Sequence, residues 1–167
     1  MHPAASGPLA NAKRTVLAAG FLGEDGIETF SKAAVEGLHL PWPDFVKRAL
    51  ANADADVDKL SIVYTRNRKK VIEYAEVRSK DGLIVSAVLA PKFFTLFQDT
   101  LGPSFLVAVP NRELAYAFPK LASHVEDYAQ PVLEAYRNST HPVTLEIFEV
   151  DAHGIKAVGL YPDPAHD

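Results

Sequence analysis

The apolar positions fall into two regimes along the chain. In residues 26–38, Ile27, Phe30, Ala34 and Leu38 recur at helical spacing, and in residues 44–53 Phe45, Val46, Ala49 and Leu50 do the same. Residues 11–19 give a weaker helical pattern. Pro41-Trp42-Pro43 separates the two stronger stretches, and Pro43 suits a first helical turn, where its missing N–H is not needed. Residues 1–58 are therefore expected to form an N-terminal helical segment packed on the rest.

From Lys59 the pattern changes. Residues 60–65 and 71–78 read as strands around the polar turn Arg66-Asn67-Arg68-Lys69. Lys80-Asp81-Gly82 reads as a hairpin turn into residues 83–89, whose nearly unbroken apolar run predicts a central strand covered on both faces. Pro91 opens and Gly102 closes a helix over 91–101, and Phe93, Phe94 and Phe97 tie it to the core. Strands follow over 104–109 and 113–118, joined by Pro110-Asn111-Arg112. Residues 120–138 carry the clearest helical stripe, including Leu121, Val125, Tyr128, Val132 and Leu133, with Pro131 predicting a kink. A last hairpin, 142–150 with 154–161, turns at Asp151-Ala152-His153-Gly154. The expected fold is α+β within one domain. A mainly antiparallel sheet of about six or seven strands, packed by helices on one face, occupies residues 59–161, with a tail at 162–167.

Composition narrows the function. A chain of 167 residues, 48% apolar and 23% charged, supports a core without disulfides or metal. There is no cysteine, which removes thiolate metal sites, iron–sulfur clusters and cysteine nucleophiles. Seventeen basic against 21 acidic residues give a net charge of −4, which argues against a whole-surface nucleic-acid binder. No basic start followed by an apolar run marks a signal peptide, and no apolar run reaches the roughly 18 residues of a membrane span. A cytoplasmic protein without membrane partners is expected.

The chain lacks the motifs of several chemistries. Neither a Walker pattern nor G-x-G-x-x-G nor a G-x-S-x-G elbow occurs, and Gly20, Gly23 and Gly26 do not follow a predicted strand. Asp54, Asp56 and Asp58 alternate like calcium ligands, but the sixth and twelfth positions hold Lys59 and Thr65 instead of Gly and Glu. His124, His141 and His153 are not spaced as metal ligands, so no metal or other cofactor is expected. Glu73 and Glu76, like Glu146 and Glu149, fall on opposite strand faces and cannot act as pairs, whereas Glu76 shares a face with Arg78.

Two turns carry the remaining candidate chemistry. Arg66-Asn67-Arg68-Lys69-Lys70 holds four cations in five residues, suited to a phosphate or an acidic partner, with Tyr64 and Tyr74 flanking it. In Pro110-Asn111-Arg112-Glu113, Pro fixes φ, Asn tolerates the left-handed backbone, and Arg112 offers a planar five-donor fork. Arg112 serves equally well as a clamp on a neighbouring loop or as a partner for Glu113 or Glu126.

Gly102 followed by Phe105-Leu106-Val107-Ala108-Val109-Pro110-Asn111-Arg112-Glu113 resembles the G-x-x-L-V-A-V-P-x-R-D stretch of the YtpQ-like family of uncharacterised bacterial proteins. Ser86-Ala87-Val88-Leu89 and the aromatic-rich helix after it are similar to the segment ahead of that stretch. Glu113 stands where the family pattern has Asp. The resemblance covers about 30 residues and implies an α+β cytoplasmic protein with no assigned activity.

Three functions follow as expectations. The first is a non-enzymatic binding or interaction domain that meets a protein or small anionic ligand through Arg66, Arg68 and Lys69 together with Asn111, Arg112 and Glu113. The second is a small cofactor-independent hydrolase or transferase, with Arg112 holding an anionic substrate and His124 or Glu113 moving the proton. The third is a structural subunit of a homo-oligomer, such as a homodimer, whose helical front, with Trp42 and Phe45, docks onto itself or a partner.

Overall fold

The computed structural model describes residues 4–121 and 125–166. Two small hairpins come first, β1 (Ser6–Pro8) with β2 (Val16–Ala18) and β3 (Gly20–Gly23) with β4 (Gly26–Thr29). Helices α1 (Lys32–Glu36) and α2 (Trp42–Val57) follow. The main sheet is built from β5 (Ser61–Arg66), β6 (Ile72–Arg78), β7 (Ser104–Ala108), β8 (Leu114–Pro119), β9 (Glu146–Asp151) and β10 (Gly154–Leu160). Its order is β10-β9-β7-β8-β6-β5, and every neighbouring pair is antiparallel. Helices α3 (Ile84–Leu89) and α4 (Pro91–Leu101) connect β6 to β7, and α5 (Ala129–Arg137) connects β8 to β9. The fold is α+β, with a six-stranded antiparallel sheet. Among the described residues no helix is long and apolar enough to cross a membrane.

The strand period of two divides the core between the two faces of the sheet. On one face Phe105 and Val107 of β7, with Ala115 and Ala117 of β8, meet Val57 of α2, Ile84 of α3 and Phe93 and Phe97 of α4. The rings of Phe93 and Phe97 lie 4.8 Å apart. On the other face Leu106 and Ala108, with Leu114, Tyr116 and Phe118, meet Val132 and Leu133 of α5. Helices therefore cover both faces rather than the expected one. A third, small cluster joins Ala5, Ala19 and Val35 to Phe30, Trp42 and Phe45.

Four expectations are corrected. The first 58 residues are not a helical segment, because the first helix starts at Lys32 and two hairpins precede it. Residues 11–19 turn at Asn11 (φ 59°) into β2, and residues 26–38 divide into β4 and α1. Glu24-Asp25 turns the β3–β4 hairpin, Gly26 opens β4 at φ 119°, and the Ser31 hydroxyl caps α1 by accepting the Ala34 N–H. The helix expected over residues 44–53 instead runs on to Val57, so Asp54 and Asp56 lie within α2. Residues 83–89 form α3 rather than a strand. Gly82 (φ 69°) turns the chain away from β6, and the Leu83 and Ile84 N–H groups donate to the Ser79 hydroxyl and the Arg112 carbonyl. Of the helix expected over 120–138, residues 122–124 lie outside the described residues, and the described ones are not one kinked helix. A 3-10 turn, Val125–Tyr128, leads into α5, whose first turn accommodates Pro131 because the missing N–H has no partner to lose there.

Two further segments are more firmly held than their composition suggests. Residues 162–166 do not trail away as a tail, since buried Asp163 pairs with Arg137 of α5 and accepts the Ala165 N–H. Near the other end, the Lys13 N–H (2.8 Å), the Arg14 N–H (3.3 Å) and the Thr15 hydroxyl all donate to the carboxylate of Glu146 on β9. This strap, residues 9–17, lies over an apolar cavity of about 50 Å³ whose body side includes Val85, Val88, Val109, Phe148 and Ile155.

Candidate functional site

The β5–β6 turn is built by one side chain. Asn67 Oδ1 accepts the N–H groups of Lys69 (2.8 Å) and Val71 (3.0 Å), a local ring that Asn forms readily. The Asn67 N–H donates to the Val71 carbonyl, and the Lys70 N–H to the Asn67 carbonyl, both at 2.9 Å. Lys70 completes the reversal at φ 64°. Arg66 spends its guanidinium inside the turn, donating to the Lys70 carbonyl at 3.0 Å. Arg68, Lys69 and Lys70 remain. All three are exposed, and among the described residues none makes an ion pair or side-chain hydrogen bond. The result is a fixed backbone presenting three unpaired cations.

The Asn111–Arg112 turn has a different character. Buried Asn111 donates through Nδ2 to the Ala135 carbonyl (3.1 Å) and accepts the Glu113 N–H at Oδ1 (3.0 Å). Its neighbours join three segments. The Val143 N–H reaches the Pro110 carbonyl, the Arg112 N–H reaches the His141 carbonyl, and the Ser79 N–H reaches the Glu113 carbonyl. Asn111 is thus engaged in holding α5, β8 and the approach to β9 together. The half-buried Arg112 side chain makes no hydrogen bond or ion pair among the described residues, so neither Glu113 nor Glu126 is its partner.

The two turns do not form one surface. Arg66–Lys70 precedes β6, whereas Arg78, at the far end of β6, pairs with Leu114, just beyond Glu113. Six residue steps along a strand separate them by about 20 Å. His124, the expected acid–base partner of Arg112, lies outside the described residues. Among the described residues no group of three or more His, Asp or Glu is placed to hold a metal ion. The cavity under the strap is far below the roughly 300–1,000 Å³ of a metabolite pocket. A larger depression, about 400 Å³, is an open dip over α2 lined by Leu40, Asp44, Lys47, Arg48 and Ala51. Trp42 and Phe45, read as docking residues, are half-buried in the chain's own third cluster, stacked at 5.6 Å.

Glu76 and Arg78, expected on one strand face, pair with each other along β6 at 2.6 Å on the surface. Glu146, which the strand period only separates from Glu149, lies on the same strand face as Phe148 and Val150. An acid on an apolar strand face needs partners, and that signal was available. Burial pushes the Glu146 carboxyl up, but the Thr15 hydroxyl and the N–H groups of Lys13, Arg14 and Thr15 outweigh it and hold the group below the ordinary glutamate value. Glu149, on the opposite face, is also held low, by hydrogen bonds from Ser104 and Lys120. Burial drives the Tyr161 phenol well above its usual range, and its hydroxyl donates to the Val125 carbonyl at 2.7 Å. Comparison with models of known protein families, with curated proteins and with solved structures finds no match for this chain.

Proposed function

We propose that the chain is a non-enzymatic binding domain whose contact element is the β5–β6 turn, and that its partner is anionic where the two meet. The observation that carries this reading is the unpaired set Arg68, Lys69 and Lys70 on a backbone closed by Asn67. A turn already ordered loses little conformational freedom on binding, so the attraction of its charges is retained as affinity. Arg112 sits at the other end of β6 and is not part of this surface.

Such binding weakens as salt screens it. The test is titration of the protein with a decaglutamate peptide and with inorganic pyrophosphate, at low salt and toward 1 M, where the screening length is about 3 Å. The double variant Arg68→Glu/Lys69→Glu is the control. Binding by the wild type that fades with salt and is lost in the variant is expected. Binding indifferent to charge reversal, or no binding of either probe, overturns the reading.

A further inference from the structure

A six-stranded open sheet has two edges, and here they are treated differently. The β10 edge carries Lys156, Gly154 and Gly159 and a register shift between Ala157 and Gly159. The strap also reaches it, since the Ala157 N–H donates to the Ala10 carbonyl at 2.9 Å. Charge, irregularity and a covering segment are the usual means of closing an edge to other chains.

The β5 edge has none of these over residues 61–65. It reads Ser-Ile-Val-Tyr-Thr, without proline, glycine or charge. Its register shifts only at the last step, between Thr65 and Arg66. Among the described residues the backbone of this stretch is paired to β6 alone. In an antiparallel ladder alternate residues aim their N–H and C=O groups away from the neighbour, so β5 shows an outer row of unpaired groups. Val63 is 65% exposed beside them. The edge then runs directly into the cationic turn.

We infer that β5 receives an extended acidic segment of a partner protein as a seventh strand, pairing along residues 61–65 and meeting Arg68, Lys69 and Lys70 with its carboxylates. This rests on the proposed role of the turn and adds the partner's form. Antiparallel addition continues the pattern of the sheet and places the acidic residues at the N-terminal end of the incoming segment. A second copy of this chain fits the charge less well. Paired antiparallel, it would bring to each cationic turn the region before β5, where the Lys92 ammonium already pairs with Asp58, the Lys92 N–H donates to Asp54, and the Lys59 charge lies near Asp56.

The test uses two peptides of one composition, Glu-Glu-Glu-Thr-Val-Thr-Val-Thr and its reverse, with a form of the first N-methylated at alternate residues. The expected result is at least tenfold tighter binding of the acid-first peptide than of either control, with Val63→Pro removing that preference. The N-methylated peptide leaves the protein unchanged, so the comparison survives if the variant fails to fold. Equal binding of all three peptides overturns strand addition while leaving the charged turn intact as a binding element. Failure of decaglutamate as well marks failure of the turn reading itself. A salt-insensitive dimer abolished by Val63→Pro overturns the inference in favour of a second copy.

Discussion

Glu146→Ala isolates the strap. The carboxylate is 4% exposed as a residue and accepts from Lys13, Arg14 and Thr15. A hydrogen bond to a charged group contributes about 1.5–3 kcal/mol. Taking about 1.5 kcal/mol each for Lys13 and Thr15, and nothing for the longer Arg14 bond, the variant loses about 3 kcal/mol of strap docking. At about 1.4 kcal/mol per tenfold, amide protection at residues 13–15 should fall roughly 100-fold. Hydrogen exchange measures this directly. Urea unfolding followed in parallel shows whether the loss reaches the main sheet, with the midpoint moving at constant slope if it does. Amides on β7 and β8, buried on both faces, should keep their protection better than the strap. A fall of less than about fivefold at residues 13–15, near 1 kcal/mol, would refute Glu146 as the anchor.

Acid should act on the same point. The folded-state values of Glu146, Glu149 and Asp163 all lie below their ordinary ones, so each contributes stability above the unfolded carboxylate range and loses it as pH falls through the depressed folded value. Melting temperature should therefore hold from pH 7 to about 5 and decline below about 4, and a decline already complete by pH 5 would contradict this. Asn111→Ala and Arg112→Ala should separate sharply: about 2–3 kcal/mol for the buried amide against about 0.5 kcal/mol or less for the unpaired guanidinium, by urea unfolding. A reversed order would make Arg112 the clamp. At Gly7 an added Cβ would lie 2.5 Å from Trp42 Nε1, and the indole is stacked on Phe45, so Gly7→Ala should cost about 1–3 kcal/mol. Trp42 is the sole tryptophan, so its emission should shift to the red, and an unchanged spectrum would count against the contact.

What the sequence discloses depends on how local the deciding interaction is. The strands at 60–65, 71–78 and 104–109, and the helix bounded by Pro91 and Gly102, are set by period and punctuation within the segment. Residues 83–89 are not, because an apolar run of this length suits a buried strand or a buried helix equally. The Ser79 hydroxyl and the distant Arg112 carbonyl decide it. In residues 26–38 the helical spacing of Ile27, Phe30, Ala34 and Leu38 follows a hairpin turn at Glu24-Asp25, and the turn prevails over its first half. At the cationic turn the residues were evident from composition, but Asn67 as its organiser and Arg66 as an internal brace required the closed backbone. Arg112 looked like the functional member of its turn, and the geometry of Asn111 shows how much of that turn serves the scaffold.

The strap's anchor also bears on the order of assembly. Lys13 reaches Glu146 across 133 positions of sequence, and the Ala10 carbonyl waits for the Ala157 N–H. During synthesis residues 9–17 leave the ribosome long before the β9–β10 hairpin exists to receive them, and contacts so far apart form late. Until then the cavity that Leu9, Val16 and Leu17 cover lacks the part of its wall that Phe148 and Ile155 supply. The native strap therefore works as a closing stitch, added after the sheet is complete, and a nascent chain stalled before β9 would leave it open to proteases.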